Sequence, residues 1–281
     1  MHLLLTGNKL QQFCDIIINC KYLSETITFT MSEEGIYSQG MTMDHCSIYE
    51  LNIGSNWFDD FEWEKGVDLA EFSLSTEYLS KVLQTRQPSQ HLIIEYFGKP
   101  DSVTIRFGSQ KKDNTNKEFP KEFSLSMIDI DSEKLVIPAM EYAAEFGIGS
   151  KALQVTNDQL SLFNETLTIH CSEEQIYLRS QGTEGELKVT LFDDSCEHIT
   201  EFSIEEKLSL TLDFSIKHFN TFCRFLKVSD YVSLSFKEDV PMKFEYIMFQ
   251  NEDEEQEDTE AEKEANSELS LVFYLAPKIP Y

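Results

Sequence analysis

The chain has 281 residues, with 23 Lys and Arg against 50 Asp and Glu and a formal charge of −27, too acidic for a nucleic-acid binder that works through its net charge. Hydrophobic residues make up 41% and aromatics 12%, enough to bury substantial cores, which excludes wholesale disorder, and the length suits about two domains. The apolar cluster Leu3, Leu4, Leu5 is far shorter than a signal segment, and no stretch approaches the roughly 20 apolar residues of a membrane span, so a soluble, non-secreted protein without a membrane partner is expected.

The first periodic segment places Leu10, Phe13, Cys14 and Ile17 at helical spacing, with Lys9, Gln11, Gln12, Asp15 and Asn19 opposite. Residues 26–29 alternate as a strand and run into an acidic turn, Ser32-Glu33-Glu34. A short helix is predicted over residues 76–86, then strands at 92–96, 103–107 and 123–127. Residues 127–142 carry Asp129, Asp131 and Pro138 with no helical stripe and read as an extended linker. The next helix is predicted over 150–163, with Leu153, Thr156, Leu160 and Phe163 in its stripe and Ser150 as its N-cap. A strand at 166–169 ends on Ser172-Glu173-Glu174. Strands at 208–212 and 232–236 flank a helix over 215–227, and a strand at 271–275 comes last. Residues 251–268 hold ten acids against the single base Lys263, the composition of a solvated loop. Cys14, Cys20, Cys46, Cys171, Cys196 and Cys223 are scattered, with no CxxC pair, through a chain too long to need staples. They are expected to be reduced thiols, mostly core filler.

The chain repeats itself. Residues 25–37, ETITFTMSEEGIY, align without a gap on residues 165–177, ETLTIHCSEEQIY, with eight identities in thirteen positions, where a chance register gives about one. After a two-residue slip Ser38-Gln39-Gly40 is echoed by Ser180-Gln181-Gly182. The same order of helix, strand, acidic turn, helix and further strands recurs around each copy. The expected fold is therefore α+β, two similar domains each with two helices on a mostly antiparallel sheet.

Four separated stretches resemble the proliferating cell nuclear antigen family of eukaryotic sliding clamps. They are SMIDIDSEKLVIPAMEY at 126–142, YLAPKI at 274–279, residues 35–51 with Met41 and His45 in register, and DVPMKFEY at 239–246. The resemblance implies the DNA clamp fold, with clamp domains at 1–126 and 143–281, a connector at 127–142 and an acidic insertion at 251–268. It also implies a homotrimeric ring of six like domains with helices lining the hole and sheets outside. Duplex DNA is threaded without sequence readout, and DNA polymerase, a clamp loader and other proteins are tethered by short peptide motifs. No enzyme activity, cofactor or metal is expected, and the place of work is the nucleus or a viral replication site.

A ring that lets DNA slide needs diffuse positive charge on its helices and no base contacts. The helical segments carry Lys9, Lys21, Lys81, Arg86, Lys151, Lys217, Arg224 and Lys227 against Asp15, Glu77 and Asp158, a positive balance inside an acidic chain. Exposed helix faces also favour Lys for its propensity alone. Lys21, Lys81, Lys217 and Arg224 match basic positions of the family. Cys14 and Asp15 stand where the family has lysines, and Val155 and Asp158 where it has arginines, so the last helix should dominate the contact and DNA affinity should be weaker than is usual for the family.

The resemblance further implies a peptide groove formed by Met41, His45, Cys46, Ile48, Leu135, Ile137, Pro138, Tyr142, Pro241, Tyr274 and Ala276. Ile48 fits an ordinary core as well. Subunit closure is implied for Phe123, Leu125 and Met127 on one strand and Leu187, Val189 and Leu191 on another, whose pairing across subunits would remove exposed edges. The alternative is that both strands pair within their own sheets. Three other classes compete. An enzyme finds little support, since Gly147-Ile-Gly-Ser-Lys151 lacks the first glycine of a phosphate loop, and His2, His45, His91, His170, His198 and His218 form no HExxH or metal-spaced cluster. A subunit of a heterotrimeric checkpoint-type clamp would share the fold, and an acidic DNA mimic would show no dependence on DNA.

Overall fold

The computed structural model describes residues 1–63, 69–96, 101–109, 119–130, 134–193, 196–197, 199–249 and 267–279. The acidic run at 251–266 lies outside them. The chain forms two compact units, the first made of Met1–Met43, Glu50–Leu135 and Met248–Ser270 and the second of Asp44–Tyr49, Val136–Ile247 and Leu271–Tyr281.

The elements run β1 (His2–Leu5), α1 (Gly7–Asn19), β2 (Thr26–Ser32), β3 (Gly35–Met41), β4 (Ser47–Gly54), β5 (Asp60–Glu62), β6 (Ala70–Ser75), α2 (Thr76–Gln84), β7 (Gln90–Glu95), β8 (Ser102–Ser109) and β9 (Lys121–Ser126). They continue with β10 (Ala144–Gly149), α3 (Ser150–Leu160), β11 (Thr166–Ser172), β12 (Ile176–Gln181), β13 (Glu186–Asp193), β14 (Cys196–Glu197), β15 (Thr200–Ile204), β16 (Ser209–Ser215), α4 (Ile216–Phe222), β17 (Tyr231–Phe236), β18 (Met242–Phe249) and β19 (Ser267–Leu275).

In the first unit one sheet has the order β5-β1-β7-β8-β9 and a second runs β4-β3-β2-β6. Alternation decides which side chains face inward: in β2 the buried residues are Ile27, Phe29 and Met31, with half-exposed Thr26, Thr28 and Thr30 between them. Phe29 and Met31 meet Phe13 of α1, Leu79 of α2, Phe72 and Leu74 of β6 and Ile94 and Ile105 of the other sheet around one small apolar cavity of about 20 Å³. Both helices and both sheets of this unit therefore share one core.

The second unit repeats the plan. Its sheets run β15-β10-β17-β18-β19 and β14-β13-β12-β11-β16, which is the first unit's order strand for strand apart from the added two-residue β14. Its core is aromatic. Phe222 of α4 stacks on Phe273 of β19 at 4.3 Å and meets Phe244 of β18 edge-on at 5.5 Å, while Phe146 and Phe236 stack at 5.6 Å. The repeat reaches single hydrogen bonds. The first helical N–H of α2, at Thr76, donates to Glu25 O at 3.0 Å, and that of α4, at Ile216, donates to Glu165 O at 3.1 Å. Glu25 and Glu165 are the first residues of the repeated thirteen. One mismatch between the copies also has a cause: Gly35 has φ 137° and a Cβ there would lie 2.1 Å from Ile53 O, so the first copy needs glycine where the second has Gln175.

Several helix ends differ from the sequence expectation. Ser150 is not an N-cap; it is the first residue of α3, its hydroxyl donates to Ser229 O at 2.7 Å, and Gly149 takes the cap position. The buried stripe of α3 is Leu153, Asn157 and Leu160, whereas Thr156 is half-buried and Phe163 lies past the helix, 36% exposed. Asn157 is buried because its amide donates to Asn220 Oδ1 of α4 at 2.7 Å, a polar pairing that hydrophobic periodicity does not register. α2 stops at Gln84, before Arg86, and α4 stops at Phe222 and tightens into a 3-10 turn at Cys223–Phe225. Gly147 and Gly149 belong to β10 rather than to a phosphate-binding loop.

Candidate functional site

In the second unit α3 and α4 pack together, and burial of one face of each fixes what the other face shows. On α4 Ile216, Phe219 and Phe222 are buried, which leaves Lys217 exposed, with exposed Arg224 two turns on and exposed Lys227 beyond it. On α3 the exposed stripe reads Lys151, Val155, Asp158 at i, i+4, i+7. One base is thus diluted by an apolar residue and an acid.

In the first unit α1 packs on α2. Lys9 is half-buried, Lys21 sits in the 3-10 turn Cys20–Tyr22 with its ammonium 5.1 Å from the Tyr22 ring centre, and Arg86 donates to Gln11 of α1. Lys81 is exposed but bonded to Glu77 one turn back at 2.5 Å, and that bond holds the Glu77 carboxyl below its usual range. Cys14 is buried and Asp15 accepts from Gln11, so no base occupies those two positions. Lys217 of the second unit is likewise 3.8 Å from an acid, Asp44 Oδ2, while Arg224 and Lys227 are exposed beyond it.

The residues expected in a peptide groove divide between the units. Met41 and Leu135 lie in the first, where the Gln39 side chain clamps the linker backbone by accepting from Leu135 N at 2.9 Å and donating to Leu135 O at 3.0 Å. Sequence reasoning singled out Gln39 only as an echo of Gln181; nothing in its spacing reveals this role. His45, Cys46, Ile48, Ile137, Pro138, Tyr142, Pro241, Tyr274 and Ala276 lie in the second unit. There the Tyr142 hydroxyl donates to Pro241 O at 3.3 Å, and Ala276 N donates to Cys46 O at 3.3 Å. Burial and the nearby Glu245 and Glu145 carboxylates push the Tyr142 phenol up to about 12. Ile48, Ile137, Tyr142, Pro241 and Tyr274 are half-buried and His45, Cys46, Pro138 and Ala276 exposed. Val136 is 91% and Ile279 82% exposed. Apolar side chains of this density at a surface are open to being covered by a partner.

Of the two candidate closure strands, β9 lies at a sheet edge and β13 lies next to the short edge strand β14. β9 ends its sheet, with Phe123, Leu125 and Met127 half-buried and Glu122, Ser124 and Ser126 exposed. Among the described residues β13 pairs with β12 on one side and on the other only with β14, at Phe192 and Asp193. Leu187 and Val189 stay half-buried on it while Leu191 is buried.

Two sheets of equivalent order, each unit carrying a pair of helices, define the DNA clamp class. Residues 7–134 match the N-terminal domain of proliferating cell nuclear antigen and residues 136–254 match its C-terminal domain. The chain belongs to the proliferating cell nuclear antigen family, the DNA sliding clamps, whose members are scaffolds rather than enzymes. It is similar to proliferating cell nuclear antigen of Caenorhabditis elegans, 29% identical over 94% of this chain and 92% of that one. It is also similar to the DNA polymerase sliding clamp of Methanococcus vannielii, 22% identical over 96% of each. The fold is that of proliferating cell nuclear antigen from Entamoeba histolytica, with a TM-score of 0.78 covering 99% of this chain and 98% of that one at 22% identity.

Proposed function

We propose that three copies of the chain close into a ring around duplex DNA, with residues 1–126 and 143–281 as its two kinds of segment and 127–142 as the connector. The ring holds DNA polymerase, the clamp loader and other peptide-motif proteins at sites of replication in the nucleus. The observation that carries this reading is the mismatch between the repeats at their edges. In the second unit β19 is flanked by β18 on one side and by Ser47–Tyr49 of β4 on the other. Its counterpart β9 has β8 on one side and nothing on the other among the described residues, and β13, the counterpart of β4, offers a nearly free edge. Repetition of the β19–β4 contact between copies pairs β9 of one chain with β13 of the next and removes both edges.

DNA is held by Lys217, Arg224 and Lys227 above all, with Lys9, Lys21, Lys81, Arg86 and Lys151 adding diffuse attraction that reads no sequence. Partner peptides dock on the exposed apolar residues of the connector and the 274–276 segment. Light scattering of the purified chain alone tests the assembly. A mass three times that of the chain is expected, and a monomer that closes only with other polypeptides would replace this reading by that of a heterotrimer subunit.

A further inference from the structure

Asp44, Cys46 and His218 come together within the second unit, although 174 positions separate Asp44 from His218. His218 Nε2 lies 2.9 Å from Asp44 Oδ2 and 3.1 Å from Oδ1, and the Cys46 thiol reaches back to Asp44 O at 3.4 Å. One donor atom from each of the three lies within 4.8 Å of the others. Between Asp44 and Cys46 the backbone of His45 takes the left-handed conformation, φ 56°, which lets the side chains at 44 and 46 turn to the same place. His218 is only 7% exposed, and its Nδ1 has no hydrogen-bond partner among the described residues, so the Asp44 contact at Nε2 is the polar restraint on the ring. Asp44 and Cys46 are exposed and leave the cluster open to solvent.

We propose that Asp44, Cys46 and His218 form a binding site for a zinc-class divalent ion, with water as the fourth ligand. Imidazole nitrogen, thiolate sulfur and a carboxylate oxygen are a borderline-soft set that suits Zn²⁺, whereas Ca²⁺ and Mg²⁺ require several more oxygens than these residues supply. Metal–ligand distances of about 2.0–2.3 Å place tetrahedral donors about 3.3–3.8 Å apart. The imidazole and carboxylate must spread slightly to reach that spacing, and the exposed Cys46 side chain must swing in. Binding releases the Sγ proton of Cys46, while an imidazole that carries its hydrogen on Nε2 moves it to Nδ1, so that His218 binds the ion as the neutral ring. The ion also competes with Lys217, whose ammonium is 3.8 Å from Asp44 Oδ2, and so frees that amine while tying the turn at Asp44–Cys46 to α4 within the second unit.

The test uses the full chain in a non-chelating reductant with excess Mg²⁺ to occupy ordinary surface carboxylates. Co²⁺ should bind at one per chain with the near-ultraviolet charge-transfer band of a cobalt thiolate, and Zn²⁺ should displace it. Cys46→Ser should abolish the band, and both Cys46→Ser and His218→Gln should weaken Zn²⁺ binding at least about 100-fold, since even outer-shell changes cost 10–100-fold. Absence of the thiolate band in the wild type, or unchanged Zn²⁺ affinity in Cys46→Ser, overturns the site. Because Cys46 is exposed, that variant decides the matter even if His218→Gln fails to fold.

Discussion

Burial pushes the thiols of Cys20, Cys171 and Cys223 up to about 12 and that of Cys14 up to about 11, from an ordinary 9.0. In the unfolded chain these groups ionise as pH passes 9, while the native state keeps its protons, so the stabilisation is complete below pH 9 and is lost as pH rises towards the folded values. Each buried thiol removes about 1.4 kcal/mol per pH unit in that window. Denaturant melts between pH 8 and 11 should show a steep fall, and a flat profile would mean that the thiols are accessible to water. Exposed Cys46 should react quickly with a thiol reagent in the native state, and these four only on unfolding. The reading of cysteines as core filler holds for those four, and Cys46 departs from it because its loop lies outside the core. At the proposed groove, truncating Ile137 or Tyr142 to Ala should remove an apolar wall worth about 1.5–3 kcal/mol once covered. A peptide of the Gln-x-x-aliphatic-x-x-aromatic-aromatic type should bind at least about tenfold more weakly by calorimetry, with the assembled mass unchanged. Loss of assembly would instead mark these residues as structural.

Elements were legible wherever contiguous residues carry the signal. The alternation of 26–32 and 166–172 is local, and so is the helical stripe of Leu10, Phe13, Cys14 and Ile17; each became the element it predicted. Helix ends were less so, because Ser150 finds a better acceptor in Ser229 O than in its own helix. Asn157 and the Asp44–Cys46–His218 cluster were invisible for a different reason: their partners are brought in from distant sequence by tertiary packing. α4 tests both structure and function. Phe222→Ala leaves a cavity between Phe244 and Phe273 and should cost about 3–5 kcal/mol in denaturant melts, whereas Lys217→Glu with Arg224→Glu changes an exposed face and should leave the melt nearly unaltered. The charge-reversed pair should instead lower clamp loading or polymerase processivity and flatten the salt dependence of DNA binding. Processive synthesis equal to wild type would move the DNA contact elsewhere.

At the scale of the molecule, the duplicated plan was readable from thirteen aligned residues because duplication preserves order even where identity fades. The edges were not readable, since a strand's place in its sheet depends on which neighbours arrive. β9 and β13 are unlike elements, so pairing them between copies is a head-to-tail contact, and every open arc keeps one bare edge at each end. The proposed ring would therefore be open to poisoning. A chain whose β9 is spoiled by Leu125→Arg still presents an intact β13, enters an arc as its last member, and blocks closure for its wild-type neighbours. Mixing it with the wild type should therefore remove more rings than dilution alone accounts for, whereas a variant damaged at both edges should be excluded from arcs and do no harm.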